Sequence, residues 1–367
     1  MQSPEQANQK QAGVWNATRS AERKIRVGLV GLGSAWEQRY RPALRSLADR
    51  FEVRAVCEQV RCRAEQAAAQ LGADVVDGFR SLIAREDVEA ILMLAPQWYG
   101  PLPIFAACEM GKAVYCATGL ELDLQQAEQI ARRVRQAGIP FMAELARRHA
   151  PATVRLKELI ATRLGRPQLV FCHLRGPRTD PTTLQSNGLG SCPAEGELVE
   201  LVDWCCYLVG QEPTYVTGLV HAYPSQREQE DYVLICLDFS RPDEPSVGPL
   251  AQINYGRYIP AGWEEVISYR RPAALQIKCE QGIVFLDLPA TVVWFDEAGR
   301  HLESLGDERP VGERLLSQFY RLLLSPVVAS QDLDALFRAL YIVHQARRSH
   351  SLGQRIRLDW PQAQPES

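Results

Sequence analysis

Lysine is scarce in this chain: 367 residues hold five, at positions 10, 24, 112, 157 and 278. Chemistry that needs an ammonium group has few places to find one. The six histidines, at 149, 173, 221, 301, 344 and 350, are scattered. They lack the spacing that gathers metal ligands, so no metal is expected. Neither sign of charge dominates: Lys plus Arg number 41 against 44 Asp plus Glu, for a net charge of -3. That balance leaves no footprint for nucleic acid or for an anionic membrane surface. No run is long and apolar enough to cross a bilayer. Residues 1–23 have no apolar core of the kind a secretory leader needs. They read as a flexible polar arm, and the cytoplasm is the expected compartment. The ten cysteines form no CxxC pair. Cys57, Cys116, Cys172 and Cys236 fall in apolar strand-like runs and read as buried free thiols.

What is present suits two domains with sizeable cores: 46% of residues are hydrophobic and 23% charged. From residue 24 to 145 short apolar runs alternate with helical stretches. "IRVGLVGL", "EVRAVCE", "ADVV", "EAILMLA", "AVYC" and "PFMA" read as strands. Two of the helices between them stop at Gly72 and Gly138. This alternation predicts a parallel, doubly wound α/β sheet of the Rossmann type over 24–145. From 146 to 360 strands cluster and helices are few, which predicts an α+β domain with a large, mostly antiparallel, open-faced sheet. The last helix and strand are expected to pack back near the first domain.

"VGLVGLGSAWEQRYRPAL" carries the first chemical signal. Gly31, Leu32, Gly33, Ser34, Ala35 and Trp36 follow a strand and open a helix. Gly31 allows the tight turn, and Gly33 lets the backbone approach a pyrophosphate resting on the helix N-terminus. Trp36 stands where a third Gly or Ala is usual. Its indole either pushes the helix off the strand or is carried aside by an extra residue in the turn. Glu58 ends the second strand, where an acid accepts from ribose hydroxyls and repels a 2′-phosphate. That favours NAD over NADP.

These stretches resemble the family of glucose–fructose oxidoreductase, inositol dehydrogenase and MocA (Gfo/Idh/MocA). So do "DVEAILMLAPQWYG", "AACEMGKAVYCATGLELDLQQAEQI", "FMAELARRHAPATVRLKELI" and "ALYIVHQARRSHSLGQRIRL". The resemblance implies a Rossmann domain followed by an open-sheet domain, NAD(P) binding, a sugar- or cyclitol-like substrate, and a homodimer or homotetramer. It implies cofactor contacts at Gly31 to Trp36, Glu58, Ala95, Pro96, Gln97 and Ala117.

The chemistry-bearing positions depart from the family's pattern. Ala117, Thr118 and Gly119 stand where Glu-Lys-Pro is usual, so the lysine that touches the reacting hydroxyl is Thr118. Gly196 and Glu200 stand where Asp and His are usual on the helix facing the nicotinamide. Hydride transfer from an alcohol needs a group to take the hydroxyl proton. Glu200, Thr118 and His173 are the candidates. Asp203 reads as structural. His173 and Arg175 share one face of a strand, Arg147 and Arg148 are placed to cap a helix or hold an anion, and Trp98 and Tyr99 can stack or pack. Two readings follow: an NAD-dependent oxidoreductase with an atypical proton-transfer set, or a non-catalytic dinucleotide- or sugar-binding regulatory or scaffold protein.

Overall fold

The computed structural model describes residues 23–117, 120, 122–178, 194–222, 230–244, 247–260, 262–306, 308–324 and 331–360. The chain forms two compact units, Met1–His149 with Arg309–Phe337, and Ala150–Glu308 with Arg338–Ser367.

The first unit holds a parallel sheet of β1 (Ile25–Val30), β2 (Phe51–Cys57), β3 (Asp74–Val75), β4 (Ala90–Met93), β5 (Ala113–Cys116) and β6 (Phe141–Ala143), in the order β3-β2-β1-β4-β5-β6. All four residues of β4 and of β5 are buried, which is why these strands read as continuous apolar runs. Its helices are α1 (Arg41–Ser46), α2 (Arg61–Leu71), α3 (Phe79–Ile83), α4 (Pro96–Tyr99), α5 (Leu102–Glu109), α6 (Leu124–Ala137) and α7 (Ala146–His149). The stops at Gly72 and Gly138 are left-handed caps, with φ of 66° and 60°. Asp123 and Gln126 close a reciprocal capping box at the start of α6. The strand order reverses between β1 and β4, the switch point at which such sheets bind ligands.

Trp36 does not push the helix away. An extra residue is absorbed in a wide turn over Trp36–Tyr40, where the Tyr40 N–H reaches back to the Ala35 carbonyl at 3.3 Å, five residues earlier. The turn sends the indole, 4% exposed, into the core beside Tyr40, Leu315 and Phe319.

The second unit is built on nine strands: β7 (Pro167–Pro177), β8 (Tyr215–Ala222), β9 (Glu230–Asp238), β10 (Leu250–Ile259), β11 (Leu275–Cys279), β12 (Gly282–Asp287), β13 (Thr291–Asp296), β14 (Gly299–Ser304) and β15 (Ile356–Arg357). They run β14-β13-β12-β11-β7-β10-β9-β8-β15, and only β7 and β10 pair in parallel. Strand β9 shows the pattern: Val233, Ile235 and Leu237 are buried, while Tyr232, Leu234 and Cys236 are partly open. The later helices are α8 (Pro151–Leu159), α9 (Ala194–Val209), α10 (Glu264–Ser268), α11 (Val311–Leu324) and α12 (Gln331–Leu352). The end of the chain meets the sequence expectation in part: the last helix begins in the first unit, up to Phe337, and the final strand does not. The segment that completes the first unit is Arg309–Phe337, whose α11 buries Leu315, Leu316, Phe319 and Leu323. The final strand instead extends the large sheet, pairing Ile356 with Val216 of β8, where an open edge offers hydrogen-bonding groups.

Candidate dinucleotide and substrate site

At the carboxyl ends of β1, β2, β4 and β5 the structure gathers the residues expected to hold the cofactor. Gly31 and Gly33 both adopt left-handed backbone, with φ of 69° and 67°. A Cβ on Gly33 would lie 2.4 Å from the Leu94 carbonyl oxygen, and one on Gly31 would lie 2.5 Å from the Ala95 Cβ. The loop is thus pressed onto the residues that follow β4. Ala95 and Pro96 are buried there at the start of α4, with Gln97 half-buried, and the Ala117 N–H bonds the Met93 carbonyl at 2.9 Å. Among the described residues, no acceptor takes the N–H groups of Gly33, Ser34 and Ala35. They remain available to an anion.

Glu58 does more than the sequence indicates. Oε2 accepts the Leu32 N–H at 2.8 Å, and Oε1 accepts the Gln59 N–H at 2.9 Å. The carboxylate therefore ties the end of β2 to the glycine loop and keeps spare lone pairs for a ribose. Sequence reasoning missed two neighbours, the Leu94 carbonyl and Arg63. The Leu94 carbonyl fixes how close the loop can come. Arg63, in the first turn of α2, donates to the Gly33 carbonyl at 3.1 Å. Tyr99 packs edge-on against Phe79 and lies over Gly31. Trp98 is exposed.

Two of the catalytic candidates, Glu200 and His173, are not brought together. Thr118 and Gly119 lie outside the described residues. Glu200 sits half-buried on α9, and the fully buried acid of that helix is Asp203, one turn on. Helix α9 covers the face of the large sheet that carries Tyr255, because Glu197, one turn before Glu200, accepts the Tyr255 hydroxyl at 2.9 Å. His173 is on the opposite face. It pairs in register with Asn254, beside Tyr232 and Gln252, and burial pushes its pKa down. Strand alternation puts His173 and Glu200 on two sides of one sheet, so they cannot act on one substrate oxygen. Arg175 shares the His173 face, where it clamps α10 by donating to the Ile267 and Tyr269 carbonyls at 2.8 and 2.7 Å.

No described lysine replaces the family's. Lys112 bonds the Arg85 and Val88 carbonyls, just before β5, at the end away from the loop. Lys157 donates to the Tyr207 carbonyl, Lys278 to that of Cys279, and Lys24 is exposed where β1 begins. Within the second unit, Glu197, one turn before Glu200, pairs with Arg257 of β10. Sequence reasoning passed over it, although "INYGRY" places the arginine in register with the buried positions of a strand.

Residues 25–145 match GFO_IDH_MocA, an oxidoreductase family with an NAD-binding Rossmann fold. Inositol 2-dehydrogenase 3 of Saccharopolyspora erythraea is 29% identical over 197 residues, which cover 51% of this chain and 54% of that protein. The chain spans at most about half the length of the curated relatives it matches. The aldose-aldose oxidoreductase of Caulobacter crescentus, solved with glycerol, is similar with a TM-score of 0.75 and 16% identity, over 92% of this chain and 100% of that one. Levoglucosan dehydrogenase, solved with NADH and levoglucosan, gives 0.77 at 17% identity over the same shares. These likenesses are of fold.

Proposed function

From its place in the Gfo/Idh/MocA oxidoreductase family, to which the chain belongs through residues 25–145, we propose that the protein binds NAD in preference to NADP. We propose that it moves a hydride between that cofactor and a hydroxyl of a sugar- or cyclitol-like substrate, with a proton-transfer set other than a lysine–histidine pair. The observation that carries the reading is the glycine loop: two left-handed glycines pressed against the end of β4, three open N–H groups, and Glu58 holding the loop's flank. Bound NAD would rest its diphosphate on those N–H groups and its adenosine ribose near Glu58, and would supply the hydride acceptor.

Calorimetry should show NAD binding at least about tenfold more tightly than NADP, ~1.4 kcal/mol. Glu58→Gln should narrow that ratio, since it removes the charge that repels a 2′-phosphate. Tighter NADP binding in the parent protein would reverse the role given to Glu58.

Glu200 is the proposed proton acceptor. It stands where the family keeps a histidine and is half-buried on α9. Glu200→Gln should cut turnover of a polyol that reduces the cofactor about 10²-fold, with NAD affinity little changed. Unchanged turnover would exclude Glu200. The second reading, a non-catalytic binding protein, draws on Thr118 standing where the family keeps its lysine. NAD binding without cofactor reduction across a panel of polyols and sugars would favour it.

Self-association is proposed as well. Leu169, Phe171, Leu234, Phe285, Phe295 and Leu302 stand half or fully exposed on one face of the large sheet, a surface that favours burial against a second copy. Sedimentation should give a dimer or tetramer. A monomer at micromolar concentration would exclude it.

A further inference from the structure

Arg257 is a cation of the second unit held by a braced carboxylate. Glu197 accepts its Nη2 with both carboxylate oxygens, at 2.6 Å for Oε2, and the Tyr255 hydroxyl braces the same carboxylate at 2.9 Å. The guanidinium also donates to the Tyr255 hydroxyl oxygen, and about a quarter of its side chain, 27%, is exposed. The backbone is shaped to receive it. Gly176 of β7 lies beneath the guanidinium, and a Cβ there would come within 3.1 Å of Nη1 and 3.4 Å of Cζ. Gly176 has ordinary backbone angles, so what the missing side chain provides is room. All of this lies on the sheet face covered by α9, one helical turn from Glu200. A guanidinium fixed by a carboxylate and still partly exposed is preorganised to donate to an oxygen that carries, or develops, negative charge.

We propose that Arg257 is the cationic anchor of the substrate site, standing in for the lysine this chain lacks: its exposed part donates to the substrate oxygen that becomes alkoxide-like during oxidation. The inference rests on the oxidoreductase reading. In the balanced step, bound NAD would supply the acceptor for the hydride that leaves the substrate C–H, while the O–H gives its proton to the Glu200 carboxylate. A carbonyl forms, and Arg257 steadies the oxygen throughout. Glu197 and Tyr255 act through Arg257 as positioning residues.

A carboxylate is a stable mimic of that oxygen, so binding tests the proposal without turnover. The probes are two pairs, D-glucuronate against D-glucose and D-glycerate against glycerol, titrated calorimetrically into the full chain with and without saturating NAD. The parent protein should favour the acid of at least one pair about tenfold. Arg257→Gln should abolish that margin, Arg257→Lys should keep part of it, and Gly176→Ala, which retains the arginine but displaces it, should fall between. NAD affinity should be the same in all four proteins. With any substrate found, Arg257→Gln should lower kcat more than it raises KM. No margin in either pair, or a margin that survives Arg257→Gln, would overturn the proposal. Failure of the parent to bind NAD would instead sink the oxidoreductase reading, and the acid margin measured without cofactor would still decide Arg257.

Discussion

Gly33→Ala should lose NAD affinity by about 10²–10³-fold, ~3–4 kcal/mol. Two effects combine. The residue holds φ at 67°, a region that costs an L side chain roughly 1–2 kcal/mol. The added methyl would also sit 2.4 Å from the Leu94 carbonyl oxygen, a backbone atom that cannot turn aside as a flexible side chain would. The loop must lift from β4, and the open N–H groups of Gly33, Ser34 and Ala35 move with it. Gly72→Ala is the control. Its φ is 66°, and a Cβ there meets nothing within 4 Å. It should pay the backbone strain alone and leave NAD binding unchanged. Calorimetry on both variants, with a thermal melt on each, separates the two causes. Near-parent affinity in Gly33→Ala would mean that the diphosphate does not rest on this loop.

Why the loop was legible and its surroundings were not follows from range. Strand, glycines, helix and Glu58 form one local pattern, and local periodicity carries it. The fate of Trp36 depends on α11, which arrives late in the chain to cover the indole with Leu315 and Phe319. It depends also on a wide turn that the intrinsic preferences of "SAWEQRY" do not announce. The large sheet was readable as clustered alternating strands. Which face α9 would cover was not, so His173 and Glu200 could be read together although strand parity separates them. Arg257 is 60 residues from Glu197. Their pairing rests on the parallel neighbours β7 and β10 inside an otherwise antiparallel sheet, a register no local signal encodes. The destination of β15 was misjudged for a similar reason, because a two-residue strand carries too little pattern to choose its edge.

Glu144→Ala should be the most destabilising single change in the first unit. The carboxylate is 3% exposed just past β6. It accepts from Arg39 and Tyr40, and from the Tyr115 hydroxyl at 2.9 Å. Burial, reinforced by this carboxylate, pushes both phenols far above their ordinary range. They stay protonated and donate to Glu144. Removing the acceptor strands two buried hydroxyls and one guanidinium at once. Breaking a buried pair from one side costs about 3–5 kcal/mol, and the melting temperature should fall by roughly 10 °C. Tyr115→Phe removes one donor and leaves the carboxylate two partners, so it should cost about 1 kcal/mol. In the double variant the second change should add almost nothing, because Tyr115 has already lost its acceptor. The network also holds Tyr40, the last residue of the wide turn after the glycine loop. NAD affinity of the folded Glu144→Ala protein should therefore fall, but by less than in Gly33→Ala. Additive costs for the two substitutions, or a melting temperature unchanged by Glu144→Ala, would show that water or a rearranged partner satisfies these groups and that the carboxylate does not organise the turn.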